Sequence, residues 1–128
     1  MKWWKRKTAQ DEIKLHTQRE TLCAEILADL LSPEEPAILG GRWSWFRLPG
    51  EREGRRISIV YPELGLCVQV HPPDVVRDIT VESANPGTRA AQYLRTLCQA
   101  QNISLIEIFS STEITTERIS AALDSLGI

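Results

Sequence analysis

The sequence predicts a single α/β domain with the order α-β-β-β-α-β-α, a mixed central sheet and flanking helices. Three observations predict it. Apolar residues recur at helical spacing in three separate stretches, each opened or closed by capping and breaking residues. Two runs rich in β-branched residues, 57–61 and 66–70, flank Pro62, Glu63, Leu64 and Gly65 and read as a tight hairpin. A further strand, residues 103–109, follows a helix directly, which suits parallel pairing through a crossover. A length of 128 residues is that of one domain around one hydrophobic core.

Along the chain, residues 1–10 read as a loose arm, with a helix beginning near Asp11 or restarting at Thr17. Thr17 and Glu20 have the spacing of a capping box, and Leu22, Ile26, Leu27, Leu30 and Leu31 then share one helical face. The chain is accordingly divided into a basic arm, 1–16, and an α/β domain, 17–128. Pro33 and Pro36 end the helix, because proline lacks the N–H that would continue it. After Gly40 and Gly41, the residues Trp43, Trp45 and Arg47 alternate with Ser44, Phe46 and Leu48, the pattern of a short strand with both tryptophans on one face. A polar loop, 49–54, leads to the hairpin, whose returning strand is apolar enough to lie centrally in the sheet. Residues 74–84 are ambiguous between a short strand and an irregular loop. Asn85 and Pro86 suit the cap and first turn of a second helix with Ala90, Ala91, Leu94, Leu97 and Cys98 inward; Asn102 stops it. Thr115 or Thr116 caps a last helix with Ile119, Ala122, Leu123 and Leu126 on its inner face, and Gly127 ends it.

Composition narrows the function classes. Apolar residues form 42% of the chain and charged residues 25%, the balance of a soluble globular domain. No apolar run approaches the roughly 18 residues needed to span a bilayer, and no apolar segment makes the basic start a secretory signal. The three cysteines, Cys23, Cys67 and Cys98, are far apart among apolar neighbours and read as buried, reduced thiols of a cytoplasmic protein. Only two histidines are present, which excludes a multi-histidine metal centre. Phosphate-binding glycine loops, nucleophile elbows and zinc-protease motifs are missing.

The formal net charge of −2 conceals blocks: +4 over residues 1–19, −5 over 20–41, +3 over 42–56 and −4 over 57–128. Both basic blocks carry tryptophans. Lys2, Lys5, Arg6 and Lys7 surround Trp3 and Trp4; Arg42, Arg47, Arg55 and Arg56 accompany Trp43 and Trp45. Cations interleaved with aromatic rings suit phosphate contacts and base stacking, so these residues are the candidates for binding DNA or RNA. The tryptophan-bearing strand with a polar rim equally suits a protein partner. A third reading has residues 2–7 as an arm on a membrane surface.

In order and local sequence, the chain resembles the restriction-endonuclease-like fold, most like the very-short-patch-repair type of endonuclease domain. The resemblance covers residues 17–126. Glu20 to Leu27 resembles the first helix, which carries a supporting glutamate; Tyr61-Pro62-Glu63-Leu64-Gly65-Leu66 resembles the turn between the two catalytic strands. Arg89, Leu94 and residues 102–108 resemble the crossover helix and its following strand. Active members hold Mg²⁺ on acidic side chains of the hairpin. Here Ser58 stands where the first acid is expected, and Gln69 and His71 stand at the positions of the second acid and its companion base. Glu25, Gln69, His71 and Asp74 are the catalytic candidates that remain, with Glu20 as an alternative to Glu25 on the first helix. The resemblance therefore implies a non-catalytic domain that binds nucleic acid or protein, with no cofactor and no metal site. The alternative is a Mg²⁺-dependent endonuclease with a rearranged acidic site.

Overall fold

The computed structural model describes residues 9–71 and 89–128. It is a mixed α/β domain. Helix α1 (Ala9–Leu31) is followed by four short strands, β1 (Ile38–Leu39), β2 (Arg42–Trp43), β3 (Arg55–Arg56) and β4 (Ile59–Tyr61). A 3-10 turn (Pro62–Leu64) leads into β5 (Leu66–Val70); helix α2 (Arg89–Ala100), strand β6 (Ser104–Ile108) and helix α3 (Thr116–Ser125) complete the order.

The main sheet has the order β1-β4-β5-β6. β1 and β5 both run antiparallel to β4, and β6 runs parallel to β5, so the sheet is mixed as the sequence predicts. The hairpin closes where expected. Gly65 takes a left-handed conformation (φ 60°), and its amide donates to the Pro62 carbonyl. This geometry is open to glycine at little cost. β5 is buried along its whole length, as a strand hydrogen-bonded on both sides and covered on both faces must be.

Alternation along β5 divides the core between two layers. Leu66, Val68 and Val70 join Cys23 and Leu27 of α1 and Ile119 and Leu123 of α3. Cys67 faces the other way, towards Ala90, Leu94 and Cys98 of α2, with Phe46, Ile57 and Val60. Helices therefore lie on both faces of the sheet. Local stop signals act as read. Asn102 ends α2 in a left-handed conformation (φ 58°), which asparagine tolerates better than most residues. The Thr115 hydroxyl caps α3 by accepting from the Arg118 amide at 3.2 Å.

Three expectations are revised. α1 is continuous from Ala9, and Thr17 lies inside it, its hydroxyl donating to the Ile13 carbonyl. The Thr17–Glu20 spacing therefore does not start a helix. The strand expected over 43–48 stops at Trp43, where a turn follows in which the Phe46 amide donates to the Trp43 carbonyl. β2 pairs instead with β3 in a separate two-stranded ribbon, Arg42 opposite Arg56 and Trp43 opposite Arg55. The hairpin's first strand begins at Ile59 rather than Ile57, and the two-residue β1 adds an unforeseen edge. Ambiguous segment 74–84, the Asn85–Pro86 start of the second helix and residues 1–8 of the basic arm lie outside the described residues.

Candidate functional site

The hairpin's open end carries Ser58 and Gln69, both buried polar residues. The ladder between β4 and β5 runs from Tyr61–Leu66 to Ile59–Val68, and continued register would set Ser58 opposite Gln69. There side chains replace main-chain pairing. Gln69 Oε1 accepts from the Ser58 amide at 2.8 Å and from the Ser58 hydroxyl at 3.1 Å. Ser58 Oγ in turn accepts from the Val70 amide at 3.0 Å, and Gln69 Nε2 donates to the Arg56 carbonyl at 3.4 Å. Both side chains are buried, so every one of these groups needs a partner. The serine–glutamine pair stitches the parting strands together.

Above the stitch stands Glu20, from the inner side of α1 and itself buried. Arg56 donates to both of its oxygens, Nη1 to Oε2 and Nη2 to Oε1, each at 2.6 Å. His16 lies one helical turn earlier, with Nε2 at 3.5 Å from Glu20 Oε2. Burial alone would raise the Glu20 carboxyl. Hydrogen bonds from His16 and Arg56 and the Arg56 charge outweigh it and bring the group down to about 2. Gly40 makes room for this pair. A Cβ there would come within 3.0 Å of the Arg56 guanidinium, and the residue's φ of 64° is itself a glycine conformation. Thr17, Thr21 and Leu39 complete a cleft of about 170 Å³ around Glu20, Arg56 and Ser58.

The donor set does not fit Mg²⁺. This ion asks for near-octahedral oxygen ligands, carboxylates among them, at short range. Among the described residues the cleft offers one carboxylate, and both its oxygens are held by a guanidinium that already supplies the neutralising charge. Gln69 directs its carbonyl oxygen at Ser58 rather than into the cleft. No group of three or more acidic, histidine or cysteine side chains among the described residues is placed to hold a metal ion.

The other catalytic candidates do not meet there. Glu25 is exposed on α1, and Asp74 lies outside the described residues. His71 is buried and engaged elsewhere. Its Nε2 lies 3.0 Å from Glu107 Oε1, and its ring stacks on Phe109 with centroids 5.4 Å apart. Arg95 of α2 grips the same carboxylate, Nε to Oε2 at 2.7 Å and Nη2 to Oε1 at 2.9 Å. Burial opposes ionisation of Glu107, but the hydrogen bonds from Arg95 and His71 prevail and lower it. The three cysteines are buried free thiols; burial pushes Cys23 up to about 12, and contact with Cys98 and burial push Cys67 up as well. A buried neutral thiol is a poor nucleophile.

The nucleic-acid candidates divide in a similar way. Arg55 donates to both oxygens of Glu51, and Arg56 is committed to Glu20. Arg42 and Arg47 are exposed and donate to the main-chain carbonyls of Gly54 and Arg52. Trp43 and Trp45 lie 6.0 Å apart and pack against the core on the α2 side, half-buried rather than presented as open platforms. The Trp43 indole nitrogen is buried without a partner among the described residues. Lys5, Arg6 and Lys7, with Lys2, Trp3 and Trp4, lie outside the described residues.

Sequence reading passed over two carboxylate clamps, Arg56 on Glu20 and Arg95 on Glu107. The first carried a signal. An acidic block from residue 20 and a basic block ending at residue 56 are what mutual neutralisation would leave in a sequence. The second carried none, because a glutamate within a strand gives no hint of its partner twelve residues earlier. Compared with known proteins, the chain matches no family model, no curated protein and no solved structure.

Proposed function

We propose that this chain is a non-catalytic domain of the restriction-endonuclease-like kind and that it works as a protein-binding module. One observation carries the reading. Where such a fold would gather carboxylates around a metal ion, an internal guanidinium clamps a single carboxylate, and a serine–glutamine pair closes the strands beneath it. The partner is read as protein because two of the three ribbon arginines are neutralised by Glu51 and Glu20, and both tryptophans pack into the domain. Three buried free thiols fit a cytoplasmic setting.

Incubation of purified protein with plasmid DNA and with RNA in Mg²⁺ or Mn²⁺ tests the non-catalytic part. The expected result is no cleavage that tracks the protein through purification. Metal-dependent cleavage that is lost in Glu25→Ala or Asp74→Ala would overturn it in favour of the rearranged acidic site.

One observation favours nucleic acid as a second reading. Arg42 and Arg47 are exposed and, among the described residues, are held by main-chain carbonyls alone, so their charge is left for phosphates. On that reading DNA or RNA affinity falls steeply between low and moderate salt, and Arg42→Gln with Arg47→Gln flattens the slope by about two contacts. Affinity indifferent to salt or to both substitutions removes it.

A further inference from the structure

We propose that the groove between the end of α1 and the hairpin turn docks a short segment of a partner protein, apolar at its centre and flanked by lysine or arginine. This rests on the protein-binding reading and assigns it a surface. The groove has a volume of about 610 Å³ and lies at the opposite end of β4 from the Glu20–Arg56 clamp. Leu31 and Glu20 are eleven residues apart on α1, about 16 Å along the helix axis.

Its chemistry selects the occupant. Ile38 and Leu64 line it and each exposes 44% of its surface, a large fraction for aliphatic side chains in a concavity. Pro33, Pro36 and Pro62 form walls whose backbone angles are already fixed, so little chain entropy is lost when a ligand seats. All the charged residues that line it are acidic: Glu34, Glu35 and Glu63. None of the three makes an ion pair among the described residues, and all are exposed. Apolar walls would take one or two aliphatic or aromatic side chains, and the acidic rim would steer cationic flanks while rejecting acidic ones. An acidic rim repels phosphate, so this surface is not a second nucleic-acid site.

The test is fluorescence anisotropy on the full chain, with a labelled short peptide carrying adjacent leucines between lysines. A matched peptide with glutamates in place of lysines, and a DNA duplex, are titrated in parallel. Saturable binding of the lysine peptide, weakened by salt, is expected, with the glutamate peptide bound at least about tenfold more weakly. Leu64→Asp weakens the lysine peptide by about tenfold or more through loss of the apolar contact. The pair Glu35→Lys and Glu63→Lys does so through charge and reverses the preference between the two peptides. Both variants change exposed residues, and circular dichroism verifies that they remain folded. No saturable peptide binding, or binding unchanged in both variants, overturns the assignment of this groove. DNA that saturates the chain through Arg42 and Arg47 while the peptides fail overturns the protein-binding reading as well. Failure of both peptides with no DNA binding refutes the groove alone.

Discussion

Replacing Glu20 by glutamine tests whether the clamp in the cleft is held by charge. The side chain keeps its shape and one acceptor oxygen but loses its negative charge. In the folded protein the carboxyl is lowered from 4.5 to about 2. A group whose folded pKa is depressed contributes stability that is present above its unfolded pKa and is lost as pH falls through the folded one. A shift of this size corresponds to a ceiling of about 3 kcal/mol at pH 7. The Arg56 side chain is 46% exposed, so solvent screens part of the pair and the substitution is expected to cost about 2 kcal/mol. By linkage, roughly 0.8 kcal/mol of the wild-type ceiling disappears between pH 7 and pH 4, and about 2 kcal/mol by pH 3. Urea unfolding of both proteins, followed by far-ultraviolet circular dichroism from pH 7 to pH 3, reads this directly. The two stabilities should converge as pH falls. A difference that is the same at pH 3 as at pH 7, or that is under about 0.5 kcal/mol at pH 7, would refute an electrostatic clamp.

Three other substitutions address the stitch, the ribbon and the loop after β6. Gln69→Leu leaves the buried Ser58 amide without its acceptor and should cost about 1–3 kcal/mol, read as a lowered urea midpoint; an unchanged midpoint would mean that water replaces the side chain. Gly54→Ala would set a Cβ 1.9 Å from the Trp43 carbonyl oxygen, so the β2–β3 ribbon must open, at about 1–3 kcal/mol. The indole NMR signals of Trp43 and Trp45 should shift while amides of β5 stay in place; unmoved indoles would contradict the close approach. Arg19 donates to the carbonyls of Phe109, Ser110 and Thr112 and so ties α1 to that loop. Arg19→Ala should speed hydrogen exchange at the Thr112 amide and cost about 1–2 kcal/mol, and equal exchange in both proteins would show the tie to be idle.

What could be read in advance was local. Pro33 and Pro36 end α1, Gly65 closes the hairpin, Asn102 stops α2 and Thr115 caps α3 because each acts on residues within a few positions of itself. The alternation of Trp43, Trp45 and Arg47 misled for the complementary reason. A strand is an agreement with a distant partner, and the partner here, residues 55–56, covers only Arg42 and Trp43. Beyond them a turn delivers Phe46 to the core, where it is 1% exposed, so this ring is buried without an extended backbone. The site followed the same division. The polar residues at positions 58, 69 and 71 were legible within otherwise apolar strands. That Arg56 would reach across 36 residues to Glu20, and that His71 would turn to Glu107, depend on how the sheet and helices pack.

β5 meets its two neighbours at unequal cost in chain freedom. Four residues, 62–65, separate it from β4, whereas thirty-three, 71–103, separate it from β6. By the logarithmic growth of closure entropy, the second connection costs about 2 kcal/mol more than the first before any contact forms. Two features of the parallel half offset that deficit. Helix α2 orders twelve of the intervening residues, and Glu107 gathers His71 from one end of the long connection and Arg95 from inside it. The His71–Glu107–Arg95 cluster is thus a fastening for a strand that local sequence could not have brought home.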